Sequence, residues 1–429
     1  MAVKEKKVAR ANAPAVLPEG WRMVRFGDVV RDVKVTVDPE QSGLERYVAG
    51  EHMETDNLHI RSWGTIGDGY LGPAFHRKFV KGQVLYGSRR TYLRKVAIAE
   101  FNGVCANTTF VLEAKEDELL PELLPFIMQA DSFNTHAVKQ SRGSTNPYVV
   151  WKDIAWYEFA LPPKDEQRRI ADILWVADES LGRDVELQHN LNQLQTVLID
   201  TFLTQGMKGW HSRYLATEIG TMPESWLALS GSELFSTEPR NGLSPEANAE
   251  GVGYPTLSIG AIRDGQVLTG GNVKYAIISS GEAEKFKLRK GDILVVRGNG
   301  NRNLVGKCGI VNEVPEGCFY PDLLIRIGFD ETKVRSEFAS LQWNSSIAHK
   351  RMLAKAKSTN GIWKVNGKDL RQHKLAVPPL EEQDAFLKLM QPHKKLTKQI
   401  KSKVNASQKL KHKLLNHLLT FGFSGDYVQ

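Results

Sequence analysis

Cysteine and long apolar runs are scarce in this sequence, and each absence excludes a class of protein. The three cysteines among 429 residues form no CxxC pair, which argues against a disulfide framework and against a zinc site. No stretch approaches the roughly 20 apolar residues of a membrane-spanning helix. The first 16 residues are basic but lack the apolar core of a signal peptide. These absences predict a protein of a reducing, cytoplasmic compartment, with no membrane partner.

Complete catalytic motifs are also missing. The stretch TNPY at 145–148 has only one of the two prolines of the loop with which amino-methyltransferases hold a flipped base. The stretch GNRNLVGKC at 300–308 has five residues where a phosphate-binding loop has four, and ends in cysteine instead of Ser or Thr. The histidines show no metal-ligand spacing. The sequence therefore predicts a binding protein that is not an enzyme and holds no metal or cofactor of its own.

An internal repeat organises the whole chain. The stretch ALPPKDEQRRIADIL at 160–174 returns as AVPPLEEQDAFLKLM at 376–390, and such repeats decide the fold. Three further pairs follow the same order: LPEGW at 17–21 with MPESW at 222–226, KGQVL at 81–85 with KGDIL at 290–294, and STN at 144–146 with STN at 358–360. The sequence thus predicts two copies of one domain.

Each copy divides into a globular part and a helical part. The predicted segments are a flexible basic tail at 1–16, a globular domain at 17–163, a helix at 164–207, a linker at 208–221, a second globular domain at 222–379, a second helix at 380–421, and a tail at 422–429. KGQVLYGS and KGDILVVRG have the Gly-bounded apolar pattern of buried strands, and residues 117–130 and 334–353 are predicted to be helical. The fold class is therefore predicted to be α+β.

The two helical segments carry opposite charge, −4 over 164–207 and +6 over 380–421. This favours their pairing with each other, which the connectivity makes antiparallel, although each could instead pack on its own domain. Gly206 is a natural helix stop, and Pro392 predicts a kink or a break in the second helix. The predicted seam is Leu181, Leu191, Leu194, Leu198, Leu396, Ile400, Leu410 and Leu414.

Basic clusters matter more than the net charge of +8. Seven basic residues and no acid lie between Asp68 and Glu100, and the equivalent stretch of the second copy is also basic. A basic run can be merely a solvated face, but its recurrence favours contact with phosphates. Arginine suits guanine edges and asparagine suits adenine, and the loops GSRR at 87–90 and RGNGNRN at 297–303 offer both after a buried strand.

The candidate DNA-binding residues follow from these clusters and from the repeated STN stretches. In the first domain they are Lys81, Arg89, Arg90, Tyr92, Arg94, Lys95, Arg142, Ser144 and Asn146. In the second domain they are Arg297, Asn299, Asn301, Arg302, Asn303, Lys307, Lys355, Lys357, Ser358 and Asn360.

The three repeated motifs make the chain resemble the specificity (S) subunit of type I restriction–modification systems. The carriers are Pro-Pro-x-(Asp/Glu)-Glu-Gln at 162–167 and 378–383, Leu/Met-Pro-Glu-x-Trp, and the Lys-Gly-x-Ile/Val-Leu strand. Gln83 replaces the more usual acid of that strand, and Pro392 is a second departure. The resemblance implies two target-recognition domains separated by an antiparallel two-helix coiled coil with pseudo-two-fold symmetry.

The resemblance also implies partners. Each domain would read one half of a split site in double-stranded DNA, and two modification subunits would methylate adenine with S-adenosylmethionine. Restriction subunits would supply ATP- and Mg-dependent translocation and cleavage. One alternative is the specificity chain of a related system whose partner carries methylation and cleavage on one polypeptide. Another is a coiled-coil scaffold that does not bind DNA.

Overall fold

The computed structural model describes residues 17–248 and 250–421, so the two predicted tails lie outside the described residues. The chain forms two compact units. The described parts of the first unit are residues 17–185 and 402–421, and the second unit contains residues 186–401. The C-terminal half of the last helix therefore belongs to the same unit as the first domain.

The first unit combines short strands with helices. Its strands are β1 (Arg22–Arg25), β2 (Val30–Asp32), β3 (Arg46–Val48), β4 (Gly64–Thr65), β5 (Phe75–Phe79), β6 (Val84–Gly87), β7 (Val96–Ile98), β8 (Gly103–Ala106), β9 (Thr109–Ala114) and β10 (Glu158–Leu161). Its helices are α1 (Phe26–Val29), α2 (Leu124–Gln129), α3 (Asp131–Gln140), α4 (Trp151–Ala155) and the N-terminal half of α5 (Lys164–Gln205). The strands form sheets in the orders β2-β9-β6-β7 and β4-β3-β8-β5, and β1 pairs with β10.

The core of the first unit explains why a late helix belongs to it. All four residues of β6 are buried, which confirms the buried strand predicted from KGQVLYGS. Ile170 and Leu174 of α5 pack into the aromatic core beside this sheet. Leu415 and Leu418, from the other end of the chain, complete the same core. Removing these leucines from water is worth about 1.5–3 kcal/mol each.

The second unit repeats the mixed architecture. Its strands are β11 (Tyr214–Thr217), β12 (Gly220–Pro223), β13 (Leu227–Ser230), β14 (Phe235–Asn241), β15 (Ala247–Asn248), β16 (Tyr254–Leu257), β17 (Ile262–Arg263), β18 (Gln266–Val267), β19 (Val273–Ala276), β20 (Ile293–Val296), β21 (Gly298–Asn299), β22 (Cys308–Ile310), β23 (Leu324–Phe329), β24 (Lys357–Thr359), β25 (Ile362–Lys364) and β26 (Lys374–Val377). Its helices are α6 (Gly231–Leu234), α7 (Ser280–Phe286), α8 (Ser336–Asn344), α9 (Ser346–Lys355) and α10 (Gly367–Arg371), followed by α11 (Leu380–Phe421), whose first half it shares.

A six-stranded sheet of order β14-β23-β20-β22-β18-β17 forms the centre of the second unit. All four residues of β20 are buried, as the KGDILVVRG pattern predicts. The helix predictions were less accurate. The helix predicted at 117–130 begins only at Leu124, and the one predicted at 334–353 is divided into α8 and α9. Ser345 causes the division, because its hydroxyl accepts a hydrogen bond from the backbone N–H of Ala348 and caps α9.

The repeated sequence motifs lie together in each unit. Strand β1, after the first LPEGW motif, pairs antiparallel with β10, which precedes the first double proline, and β13 pairs in the same way with β26. The indole N–H of Trp21 donates to Glu166 at 3.0 Å, and that of Trp226 donates to Glu382 at 2.9 Å. In each unit, a hydrogen bond therefore joins the Trp of the Leu/Met-Pro-Glu-x-Trp motif to the Glu of the Pro-Pro motif.

The glutamine of each Pro-Pro motif adds three further hydrogen bonds between the motif and its domain. The side-chain oxygen of Gln167 accepts from the backbone N–H of Leu120 at 2.8 Å, and its amide donates to two backbone carbonyls. Gln383 makes the same three bonds in the second unit, accepting from the N–H of Arg335 at 2.8 Å. Both glutamines are buried. The repeated Pro-Pro motif thus anchors each long helix to its domain.

Helices α5 and α11 are antiparallel in each unit. In the first unit Asp178 pairs with Lys411 and Asp184 pairs with Lys403. Residues later in α5 therefore contact residues earlier in α11, as antiparallel helices require. In the second unit Glu382 accepts from the backbone N–H of Met207 at 2.8 Å. Helix α11 continues through Pro392, so the predicted break is wrong. None of the described helices is both long enough and apolar enough to span a membrane.

The predicted seam needs correction at three positions. Leu194, Leu396 and Leu410 are exposed, at 48%, 41% and 67% of their maximum. Leu191 is buried, and the other four predicted seam residues, Leu181, Leu198, Ile400 and Leu414, are half-buried. The buried positions of the two helices also include apolar residues outside the prediction and three charged ones: Ile199, Val404, Leu415, Leu418, Asp178, Asp184 and Lys411. Both alternatives for the helices hold, because each packs on a domain and on the other helix.

Asp178 lies at the centre of a buried charge network in the first unit. It is 5% exposed and accepts from the Lys411 ammonium and, at 2.9 Å, from Nε2 of His59, while Nδ1 of His59 lies 2.9 Å from Glu100. The hydrogen bond to Asp178 raises the pKa of His59 against the opposing effect of burial, and Glu100 adds to the rise. Burial alone would raise the pKa of Asp178, but His59 and Lys411 outweigh it and hold that pKa below its usual value.

The His59 contacts should make the stability of the first unit depend on pH. A histidine whose pKa is higher in the folded than in the unfolded chain stabilises fully below its unfolded pKa of about 6.5. That contribution is lost as the pH rises through the folded pKa. We expect the stability difference between wild type and His59→Gln to shrink as the pH rises above about 6.5. Hydrogen exchange of the β6 and β9 amides measures it, with His189→Gln on an exposed site of α5 as control. A difference that stays level or grows would contradict this assignment.

Candidate nucleic-acid interface

In the first domain, two predicted segments more than 50 positions apart meet after strand β6. The backbone N–H of Val149 donates to the carbonyl of Ser88 at 3.0 Å, and that of Arg90 donates to Pro147 at 2.6 Å. Arg142 and Tyr148 exchange backbone hydrogen bonds of 2.8 and 2.9 Å, which closes the intervening residues into a loop. The arginine loop and the STN loop therefore form one surface.

The side chains on this surface are exposed and mutually ordered. The Arg89 guanidinium lies over the Tyr148 ring at 5.9 Å, and Nε of Arg90 donates to Oδ1 of Asn146 at 3.3 Å. Arg90 is in the left-handed region with φ of 51°, which is uncommon for a residue other than glycine. That conformation starts the turn that carries Tyr92, which is 53% exposed. Ser144 is also exposed in the same loop.

Four predicted residues of the first domain do not belong to this exposed cluster. The three guanidinium nitrogens of Arg94 donate to Asp56, Asp131 and the carbonyl of Gln129. Arg94 therefore links segments within the first domain. Lys95 donates to the carbonyl of Gly50. Lys81 is exposed, but it lies at the opposite end of β6 from Arg89. The Arg142 guanidinium binds the buried Asp153. Of the nine predicted residues, the exposed cluster keeps Arg89, Arg90, Tyr92, Ser144 and Asn146.

In the second domain the equivalent segments form a small three-stranded sheet. Strand β25 pairs with β21 on one side and β24 on the other, which brings the RGNGNRN loop beside the second STN stretch. Asn360 (φ 50°) and Gly361 (φ 75°) form the two-residue turn between β24 and β25. Asn-Gly is the preferred sequence of such a turn, because both positions require positive φ.

An exposed arginine again lies over an aromatic ring. The Arg302 guanidinium is 4.6 Å from the centre of the Trp363 ring. The side-chain oxygen of Asn299 accepts from the backbone N–H of Asn301 at 2.8 Å, and that of Asn301 accepts from Asn303 at 3.0 Å. These turns hold the loop while leaving both side-chain amide N–H₂ groups without a hydrogen bond among the described residues. Such amides are donors suited to base edges.

The remaining predicted residues of the second domain are divided by burial. Lys357, Ser358, Asn303 and Asn360 are exposed. Lys307 is half-buried, donates to the carbonyl of Asn344 at 2.9 Å, and has its pKa lowered by burial, so it supports the loop from below. Arg297 is half-buried and donates to the carbonyl of Asp322 at 3.2 Å. Burial also lowers the pKa of the half-buried Lys355.

The sequence prediction omitted the aromatic residues that order each cluster. Tyr148, which is 40% exposed, and Trp363, which is half-buried, support the exposed arginines, and Lys364 is exposed beside Trp363. The Asn-Gly pair at 360–361 was the available signal for the hairpin. Among residues 17–248 and 250–421, no group of three or more His, Cys, Asp and Glu side chains is placed to hold a metal.

The fold and these surfaces define a class of protein: two copies of an α+β domain, each followed by a long helix and each presenting an exposed arginine loop. The sequence pattern of the type I restriction modification DNA specificity domain matches residues 18–193 and 223–406, and the chain belongs to this family. The family assignment predicted from the repeated motifs is therefore confirmed.

Individual relatives agree with this assignment. The chain is 30% identical over 277 residues to the EcoKI specificity subunit of Escherichia coli K12, a match that covers 62% of this chain but only 57% of that protein. It is 23% identical over 427 residues to the MjaVIII specificity subunit of Methanocaldococcus jannaschii, covering 94% and 93% of the two chains. The S subunit of a type I restriction–modification system from M. genitalium has the same fold, with a TM-score of 0.51 at 14% identity, over 93% of this chain and 96% of that one.

Proposed function

We propose that this chain is the DNA sequence-recognition subunit of a cytoplasmic type I restriction–modification complex. Each repeat reads one half of a bipartite, asymmetric site in double-stranded DNA. The observation that carries the proposal is the recurrence, in both domains, of an exposed arginine over an aromatic ring with asparagines beside it. Arginine pairs with guanine edges and asparagine with adenine edges in the major groove.

The differences between the two clusters support different half-sites. The first offers Arg89, Arg90 and Asn146, and the second offers Arg302 and a series of asparagines in the loop Arg297–Asn303. Because base readout depends on which donors reach the groove, two loops of unlike composition select unlike sequences. The site is accordingly expected to be asymmetric.

We further propose that α5 and α11 act as the spacer between the two readers and as the docking platform for two modification subunits. Their exposed leucines support this role, because apolar side chains grouped on a soluble surface mark association sites. Leu194 and Val197 on α5, and Leu396 on α11, are exposed in the second unit. The modification subunits would bind S-adenosylmethionine, and the restriction subunits would bind ATP and Mg, so that this chain contributes recognition and not catalysis.

Alanine substitutions at the two loops test the recognition role. In Arg89→Ala/Arg90→Ala, discrimination at one half-site should relax by about 1–3 kcal/mol for each base contact that is removed. For each phosphate contact that is removed, the slope of log affinity against log salt should instead fall by about 0.9. Arg302→Ala should affect only the other half-site. Binding to duplexes altered in one half at a time, at several salt concentrations, separates these outcomes.

The matched control is Arg213→Ala, which removes an arginine that is 82% exposed and lies outside both clusters. It should leave affinity and discrimination unchanged. If both loop variants bind and discriminate as wild type does, the reading surfaces lie elsewhere. If the wild-type chain and its complex show no salt-sensitive DNA binding at all, the scaffold alternative is correct.

A further inference from the structure

Helix α11 contains nine lysines and no acidic residue after Asp384. Four of the lysines, at 394, 401, 403 and 411, form ion pairs with acids of other elements. The other five are exposed and form no ion pair with any of the described residues: Lys388, Lys395, Lys398, Lys409 and Lys413. We call these five residues the lysine face.

In each unit these lysines share one side of the helix. At 3.6 residues per turn, successive residues are about 100° apart, so Lys388, Lys395 and Lys398 of the second unit lie within a sector of about 80°, and Lys409 and Lys413 of the first unit lie about 40° apart. The buried residues Phe386 and Met390 of the second unit, and Val404 and Leu415 of the first, lie on the opposite side of the helix. In each unit the lysines without an ion pair are therefore grouped on the exposed side of the helix and are not a scatter of surface residues.

In the first unit this sector of α11 contacts a residue that supports the turn after the arginine loop. Asn416 falls in the same sector, and its side chain accepts from the backbone N–H of Asp131 at 2.9 Å and donates to the Asp131 carboxylate at 3.1 Å. Asp131 also accepts from Arg94 at 2.8 Å, and Arg94 ends the turn that follows Arg90. One carboxylate thus links Arg94, at the end of the turn that follows the arginine loop, to the same sector of α11.

We propose that, in each unit, the lysines of the lysine face bind the phosphate backbone of the duplex DNA that the loop of the same unit reads. This inference rests on the proposed DNA recognition. It adds a sequence-independent contact surface on the helix to the sequence-reading loops on the domains. A lysine ammonium is a compact charge that suits phosphate and carries no base preference by itself.

The spacing of the lysines supports an anionic partner. Lys409 and Lys413 are four residues apart and Lys395 and Lys398 are three apart, and like charges at these spacings repel each other on a helix. The other four lysines of α11 each pair with an Asp or a Glu, whereas the acid beside this face, Asp131, pairs with Arg94 and His412 and with none of the five lysines. A polyanion along the face removes the repulsion and releases counterions.

Glutamine substitutions in the full-length chain test the proposal, because glutamine and lysine have similar helix propensity. The variants are Lys388→Gln/Lys395→Gln/Lys398→Gln, Lys409→Gln/Lys413→Gln and the combination of all five. The control is Lys208→Gln/Lys290→Gln, which removes two exposed lysines that lie on neither the lysine face nor the reading loops. Fluorescence anisotropy measures binding to a duplex carrying the recognised site, at several salt concentrations, and circular dichroism checks the helix content.

We expect the face variants to bind less tightly, with the same half-site preferences as wild type and with a salt slope that falls by about 0.9 for each phosphate contact removed. Replacing phosphates at the unread base pairs by neutral methylphosphonates should weaken DNA binding by the wild type and leave binding by the five-lysine variant unaffected. Altered half-site preference would overturn the proposal, as would an unchanged slope with failed assembly of the modification subunits, which would assign the face to an acidic protein partner. Failure of the proposed function is distinct, because the loop variants would then also bind as wild type does.

Discussion

Replacing Lys411 by methionine should destabilise the first unit by about 3–5 kcal/mol, because it leaves a buried carboxylate without its cation. Lys411 is 7% exposed and Asp178 is 5% exposed, so water cannot replace the missing ammonium. His59 remains on Asp178 but bridges to the exposed Glu100 as well. The unpaired charge therefore has to be neutralised or the contact between α5, α11 and the first domain has to open.

Two variants make this result specific. Lys413→Met, two residues away on an exposed face of the same helix, should change stability by less than about 0.5 kcal/mol. The double variant Asp178→Asn/Lys411→Met removes the charge as well as its partner and should recover most of the stability. Hydrogen exchange of the buried amides of β6 and β9 reports the free energy of unfolding of this unit. Equal protection in wild type and Lys411→Met would show that the pair is not a buried one in solution.

Replacing Gln383 by leucine should destabilise the second unit by at least about 1–3 kcal/mol, the cost of one buried polar group left unpaired. Three backbone groups would lose their hydrogen-bond partner: the carbonyl of Pro378 in a buried bond, and the N–H of Arg335 and the carbonyl of Lys333 in partly buried ones. Each buried polar group left unpaired costs about 1–3 kcal/mol. Leucine has a volume close to that of glutamine, so the destabilisation would come from the hydrogen bonds and not from a cavity.

The repeat supplies its own check on this prediction. Gln167→Leu removes the corresponding three bonds and should destabilise the first unit by a similar amount, leaving the second unit's exchange unchanged. Gln399→Leu, at an exposed position of α11, is the matched control and should be nearly neutral. A destabilisation below about 1 kcal/mol in both Gln383→Leu and Gln167→Leu would mean that water forms the hydrogen bonds that the glutamine no longer makes.

The sequence predicts where the candidate nucleic-acid interface lies, but not which residues belong to it. The loops around Arg89 and Arg302 follow buried strands whose apolar pattern is local, and this is why the sequence predicts them. Arg94 belongs to the same basic run as Arg89, yet its guanidinium is taken up by Asp56 and Asp131. No pattern along the chain distinguishes the two, because the distinction depends on residues about 40 positions away.

The sequence by itself determined the duplication, the α+β class, the buried strands β6 and β20, the start of both long helices and the end of the first. These features rest on repetition, on short periodicities and on residues such as Gly206 that act on their own neighbours. Only the tertiary structure decided that Leu415 and Leu418 complete the core of the first unit. It also placed the charged pair Asp178 and Lys411 at the buried contact between the helices, for which the sequence predicts leucines. It also decided which lysines of α11 pair with an acid among the described residues and which do not. The physical reason is that burial and ion pairing are properties of pairs of distant residues, and a single position in the sequence does not specify its partner.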